Sequence, residues 1–276
     1  MSAYYQRLEQ DRLAPDPLAQ DQLAASVSHF QSTDLVQGAW NPHEQHMAAV
    51  AGVISAELEQ FQPRDDMRIA RISFDIWGLI PAGEFSVETK VIRAGRTIEL
   101  IEATLMAQAR TCIVARAWRM QVQDTTAIAG LEDGIQQRPS YLPVECILDF
   151  WNGRFVRTVK SQVDLTTYRA GKGMVWLNTE VDMIEGETTT DFVRLMGMID
   201  TANGVSPRMK KGQWLFPNVD LQVHLLRKPQ GHWLGLETMQ QFGEDGIGIT
   251  SSVLHDDHGV FGRCEQILTL RQISAA

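Results

Sequence analysis

Apolar residues at Met47, Val50, Ala51, Ile54, Leu58 and Phe61 recur at helical spacing across residues 44–61, and small residues fill many of the positions between them. This spacing predicts a helix buried on most sides. After the polar turn Gln62-Pro63-Arg64-Asp65-Asp66 the period changes to two: Ile72, Phe74 and Ile76 alternate with Arg71, Ser73 and Asp75. Pro81-Ala82-Gly83 turns the chain, Phe85, Val87 and Val91 alternate next, and Arg93-Ala94-Gly95-Arg96 turns it again. Two further extended runs, at about 97–107 and 111–121, complete a predicted antiparallel meander.

The order then repeats. Phe192, Leu195, Met196 and Ile199 mark one face of a helix from Thr190 to about Ala202, with Thr190 as N-cap and Gly204 where a C-cap belongs. Val219, Leu221, Val223 and Leu225 alternate with Asp220, Gln222 and His224, and strands follow at about 232–241, 247–255 and 259–271. Pro81 and Gly95 of the first meander find counterparts in Pro229 and Gly243 of the second. A tandem duplication follows, with each half laying a buried helix on one face of an antiparallel sheet, an α+β arrangement. Residues 124–143, with Gly130, Gly134, Pro139 and Pro143, read as the linker between a first domain at 25–123 and a second at 144–276. Residues 1–24, rich in Gln, Asp and Pro, read as a partly ordered N-terminal arm.

Composition narrows the function classes. The 276 residues carry 25 Lys+Arg against 34 Asp+Glu, a net charge of −9, which argues against a general nucleic-acid binder. The longest apolar stretch, Met47 to Ala56, falls well short of the roughly 20 residues a membrane span needs. The polar start Met1-Ser2-Ala3-Tyr4-Tyr5 lacks a signal-peptide core, so a cytoplasmic location is expected. Cys112, Cys146 and Cys264 are too few and too scattered for a disulfide framework or a zinc site.

In the residues Trp40-Asn41-Pro42, His46, Arg71-Ile72-Ser73-Phe74-Asp75, Gly95-Arg96-Thr97-Ile98-Glu99, Asp200-Thr201-Ala202-Asn203-Gly204 and Cys264-Glu265-Gln266, the chain resembles the acyl-CoA thioesterase II family across about residues 25–272. That family folds as a tandem (double) hotdog, each half a long helix wrapped by an antiparallel sheet. The resemblance implies an acyl-CoA substrate, hydrolysis by a held water, no cofactor, and association into a homodimer of double-hotdog chains. The family's Asp falls on Asp200 and its Gln on Gln266. Pro217, next to Asn218, stands where a Thr is expected, leaving Asn203, Asn218 or Thr250 to replace the hydroxyl.

The pattern gives these residues weight of its own. Gln266 shares a strand face with Val260, Gly262, Cys264 and Leu268, and a buried amide without partners costs about 1–3 kcal/mol. Asp200 follows Met196 by one helical turn, so it faces inward with the apolar stripe, with Asn203 beside it. Burial and the helix's negative end raise its pKa, as suits a base that takes a proton from water. The bland alternatives are a turn aspartate in water and a core glutamine bonded to backbone. Backbone N–H groups near His46 are candidates to hold the oxyanion, and Arg208, Lys210 and Lys211 to hold phosphates of the substrate.

Other chemistries fit less well. No Gly-x-Ser-x-Gly occurs, so a nucleophile elbow is absent. His43-Glu44-Gln45-His46 is one residue short of a His-Glu-x-x-His metal motif, and His255-Asp256-Asp257-His258-Gly259 falls where a hairpin turn belongs, so no metal is predicted. Two alternatives are a non-catalytic acyl-CoA-binding protein and a hotdog enoyl-CoA hydratase, the latter lacking here its Asp-x-Asn-Pro-x-His motif.

Overall fold

The computed structural model describes residues 2–13, 25–132, 138–140, 142–145, 147–210 and 212–273. Helix α1 (Met47–Gln60) starts at His46, whose Nδ1 accepts the Ala48 N–H. Its residues Met47 to Leu58 are all buried, as the mixture of small and apolar side chains predicts. Helix α2 (Asp191–Ile199) starts at Thr190, whose hydroxyl accepts the Val193 N–H, and ends with Asp200 as its C-cap. A separate short helix, α3 (Ala202–Val205), follows. Gly204 lies inside it rather than capping α2, because Asp200 already ends the helix and the chain turns again at once.

The first-half strands are β1 (Ala3–Leu13), β2 (Ala25–Ser32), β3 (Met67–Ile76), β4 (Glu84–Arg93), β5 (Ile98–Ala107) and β6 (Arg110–Gln121). Those of the second half are β7 (Val144–Glu145), β8 (Val159–Val163), β9 (Lys172–Thr179), β10 (Asp182–Ile184), β11 (Trp214–Leu215), β12 (Asp220–Leu225), β13 (Leu234–Phe242), β14 (Ile247–Asp256), β15 (Gly259–Thr269) and β16 (Arg271–Gln272). Among the described residues, 14 of these strands form one sheet in the order β10-β1-β2-β4-β5-β6-β3-β12-β15-β14-β13-β9-β8-β7. The order is nearly a palindrome about the β3–β12 junction, where Phe74 pairs with Leu221 and Ile72 with Val223. The duplication read from the sequence is thus a double hotdog, its halves joined edge to edge.

Inside the curved sheet the two helices pack directly on each other. Small residues set the approach: a Cβ on Gly52 would come within 2.9 Å of the Gly197 Cα and would overlap Met183. Gly52→Ala is therefore expected to destabilise the fold by about 1–3 kcal/mol through overpacking, read as a lower urea midpoint.

Residues 3–13, expected within an arm, instead form a strand of the sheet. β1 pairs antiparallel with β2 and parallel with β10, and Tyr4 and Tyr5 are fully buried. The Tyr4 hydroxyl bonds Thr158 and Thr179, both second-half residues. Arg7 reaches the buried Glu57 of α1 at 2.8 Å and Glu187 at 2.6 Å. The N-terminal strand thereby ties the two halves together. Cys112 and Cys264 are buried free thiols, whereas Cys146 lies outside the described residues. Among the described residues no helix is long and apolar enough to cross a membrane, and no His/Cys/Asp/Glu group is arranged to hold a metal.

Candidate active site

A cavity of about 630 Å³ opens where the N-terminus of α1 meets the C-terminus of α2. Each half contributes to it. From the first come the loop of Trp40 and Asn41, then His46 and Met47; from the second come Asp200, Asn203 and Asn218.

Asp200 lines the wall of this cavity. Its side chain is 3% exposed, and the Oδ1 oxygen accepts two side-chain amides: Asn218 Nδ2 at 2.7 Å and Gln266 Nε2 at 2.9 Å. Burial pushes the carboxyl up to about 7, against the opposing pull of those two hydrogen bonds. Asp200 therefore changes charge near neutral pH while lying on the wall of a cavity.

Of Asn203, Asn218 and Thr250, Asn218 is the one whose side chain bonds the Asp200 carboxyl directly. Its Nδ2 also donates to the Asp220 carbonyl at 2.9 Å, and its Oδ1 faces Asn203 Nδ2 at 3.5 Å. Asp220 holds this loop in turn, its Oδ1 accepting the Ile267 N–H at 2.8 Å. Asn203 lines the cavity but reaches Asp200 only through Asn218. Thr250 is buried, and its described side-chain bond is with Gln240 rather than with Asp200.

The polar residues behind Asp200 form one row across three neighbouring strands. Gln240 pairs with Thr250, and Thr250 with Gln266. At the equivalent rungs of the first half, Val91 pairs with Ile101 and Ile101 with Ala117. The same sheet position is apolar in one half and wholly polar in the other, a contrast visible once the two halves are laid together. Gln240 Nε2 donates to the Asn203 carbonyl at 2.7 Å, and Gln240 Oε1 accepts the Arg208 N–H at 3.1 Å, so one buried amide fixes both ends of the segment that carries α3.

That tie accounts for Arg208. Its backbone is bound to Gln240, its guanidinium donates to the Gln240 carbonyl, and it does not line the cavity. Lys210 does not line it either, and Lys211 lies outside the described residues. The basic group on the cavity wall is Arg271 of the short strand β16, which pairs with Leu215 of β11. Sequence reading passed over it because a lone Arg near the end of a chain has no distinguishing pattern.

His46 faces Asp200's half from the other side of the cleft. Its ring stacks on Phe155 with centroids 4.4 Å apart, and burial lowers its pKa to about 4. It is neutral over the whole physiological range. Because Nδ1 accepts the Ala48 N–H at 3.1 Å, the ring proton sits on Nε2, making His46 a hydrogen-bond donor rather than a base. The first turn of α1 adds the positive end of its dipole at the same place. The His255–His258 segment is a hairpin turn, where Asp256 accepts the Arg227 guanidinium and the Gln230 and His258 N–H groups.

The sequence matches two family descriptions in tandem: an acyl-CoA thioesterase N-terminal domain over residues 36–120 and an acyl-CoA thioesterase C-terminal domain over residues 133–270. No curated protein matches the chain. Among solved structures, a hot dog fold protein of unknown function from Alicyclobacillus acidocaldarius is similar with a TM-score of 0.72 at 12% identity, covering 90% of this chain and 94% of its own. An acyl-CoA thioesterase II from Mycobacterium marinum is similar at a TM-score of 0.64 and 12% identity, with coverages of 91% and 93%. A putative thioesterase II from Thermobifida fusca is similar at a TM-score of 0.63 and 13% identity, with coverages of 89% and 92%.

Proposed function

The chain belongs to the acyl-CoA thioesterase family, and from that premise we propose that it hydrolyses an acyl-CoA to the free acid and CoA with Asp200 as general base. The observation that carries this reading is the placement of Asp200. It is a buried carboxyl titrating near 7, held on one oxygen by two amides, on a cavity whose opposite side presents a neutral imidazole N–H and a helix N-terminus.

The reaction runs as follows. Ionised Asp200 accepts a proton from water through Oδ2, the oxygen not taken up by Asn218 and Gln266, and the water oxygen bonds to the thioester carbonyl carbon. Charge develops on the carbonyl oxygen, where the Nε2–H of His46 and the first turn of α1 stabilise it. The tetrahedral adduct collapses by breaking the carbon–sulfur bond. The thiolate leaves as CoA and takes up the proton held by Asp200, which restores the carboxylate. Asn218 and Gln266 keep the aspartate oriented through each proton transfer.

His46 also bears on the hydratase alternative. Addition of water to an enoyl group, or its reversal, needs a proton acceptor at the α-carbon as well as a base for water. A ring whose Nδ1 is engaged by Ala48 and whose Nε2 bears the proton offers none there. A purely binding role leaves the raised carboxyl pKa without a use.

The direct test is thiol release from acyl-CoA substrates ranging from acetyl to palmitoyl. Turnover of at least one of them is expected. Binding of acyl-CoA without any thiol release would overturn the hydrolytic reading in favour of a binding protein.

A further inference from the structure

We propose that the helix pair carries a second binding site at its other pole, a pocket that holds the phosphate or carboxylate of a small organic anion on Arg68 and Lys228. This pocket, of about 230 Å³, is lined by Glu59 near the end of α1 and Phe192 near the start of α2, whereas the large cavity lies where α1 begins and α2 ends. The two are counterparts under the internal duplication. The end of β3 with the turn after it, and the residues just before β12, line the large cavity. The end of β12 with its turn (Leu225, Lys228, Pro229), and the opening of β3 (Met67, Arg68, Ile69), line the small one. The catalytic set does not recur there. The spacing that matches Gln240 to Val91 also matches Pro217, Asn218 and Gln266 to Arg68, Ile69 and Ala117. At those positions no amide is left to orient a carboxylate, and a guanidinium stands in the place of Pro217.

The charge on the wall is unbalanced. Four cations, Arg64, Arg68, Arg119 and Lys228, face a single carboxylate, Glu59. Arg64 is engaged by Asp66 at 3.1 Å and by the Gly95 and Arg96 carbonyls. Arg119 is engaged by Glu99 at 3.1 Å and by the last carbonyls of α1. Lys228 reaches Glu59 at 3.2 Å, and Glu59 also accepts the Thr190 hydroxyl. Arg68 differs: among the described residues it meets no carboxylate. Its guanidinium donates to the Ile69, Leu225 and Leu226 carbonyls at 3.5, 3.2 and 2.7 Å, and burial lowers its pKa with no anion to raise it. Even with Asp66 and Glu99 counted, four cations stand against three carboxylates, and one positive charge remains. An oxyanion supplies that charge and fits the guanidinium's planar array of N–H donors. The positive end of the α2 dipole favours it further. Met67, Ile69, Phe192 and Leu225 supply apolar surface beside the cations, which suits an anion carried on a small apolar body. At about 230 Å³ the pocket is smaller than the roughly 300–1,000 Å³ of sites for drug-sized ligands, and too small for a whole coenzyme A. The site stands whether or not the large cavity hydrolyses a thioester.

The experiment titrates phenyl phosphate, benzoate and inorganic phosphate into the full chain at constant ionic strength. Binding is read by isothermal calorimetry and by the rise in urea midpoint that a bound ligand gives. Phenyl phosphate or benzoate is expected to bind once per chain and more tightly than inorganic phosphate. The better of the two tells whether phosphate esters or carboxylates are the class the site takes. Arg68→Gln should weaken that binding by about tenfold, the loss of a charge-assisted contact. Lys228→Gln, on a side chain 61% exposed, should weaken it severalfold, and it decides the matter if Arg68→Gln does not fold. Asp200→Asn and Arg271→Gln, which alter the large cavity, should bind as wild type does, and so should Arg116→Gln, on a half-exposed strand position away from both. Failure of all three anions to bind by either measure overturns the proposal, as does inorganic phosphate binding as tightly as the organic anions. Loss of binding in Asp200→Asn or Arg271→Gln places the anion in the large cavity and overturns it too. Equal weakening in Arg116→Gln reduces the effect to surface charge, with the same consequence.

Discussion

Asp200→Asn is expected to lower kcat/KM by roughly 10²–10⁴, the range associated with loss of a general base. The asparagine keeps an oxygen for Asn218 and Gln266 but cannot take a proton from water. Wild-type activity should rise with pH through about 7 and level off above it, because only the ionised carboxyl acts as base. The same substitution should make the protein more stable at pH 8. The sign follows from linkage. The folded-state pKa of about 7 lies above the unfolded value near 3.9, so between those two pH values the folded chain holds the proton more tightly than the unfolded one. Wild-type stability from this group is thus full below about 4 and is lost as pH rises through 7. Asparagine carries no charge to desolvate, so the variant should gain about 2–4 kcal/mol over wild type at pH 8 and almost nothing at pH 4. Urea denaturation at the two pH values measures this. Activity that survives the substitution would assign the base to another residue.

Arg119→Ala is expected to cost about 3–5 kcal/mol of stability with little change in turnover where the protein stays folded. Arg119 is a buried guanidinium at the end of β6 that closes the C-terminus of α1. It donates to the Leu58, Phe61 and Gln62 carbonyls and pairs with Glu99 at 3.1 Å. Removing it leaves a buried carboxylate and the last carbonyls of the helix without their donor. Its site lies at the far end of α1 from His46, about 21 Å away along a helix of 14 residues, so the chemistry should be spared. A shift in urea midpoint, with kcat measured at low temperature, separates the two effects. A loss of kcat equal to that of Asp200→Asn would instead place Arg119 in the reaction.

Those two residues show what periodicity can and cannot transmit. Helix α1, the two meanders and their repetition were readable because burial on one face of a sheet forces alternation, and burial around a helix forces small and apolar residues. Asp200 and Gln266 were readable because each interrupts such a pattern on its buried face. Asn218 was left among three choices because it lies just before β12, where no period applies, and only the folded loop brings it to Asp200. The charge run at Arg208 looked like a phosphate site, yet a backbone bond to Gln240 fixes it elsewhere. β1 was missed because the Gln, Asp and Pro residues around and after it make the first 24 residues look like a solvated arm.

The placement of β1 bears on how the chain is made. Residues 3–13 leave the ribosome well before residues 182–184, the strand that covers their outer edge. At about 5–20 residues per second the interval is roughly 10–30 s. During that time β1 can pair with β2, but its other edge presents free N–H and C=O groups to any passing strand. Tyr4 meanwhile waits for Thr158 and Thr179. Completion of the first half is therefore a late, long-range event in biogenesis, and a nascent chain paused before residue 182 is the form most exposed to aggregation or to engagement by a chaperone.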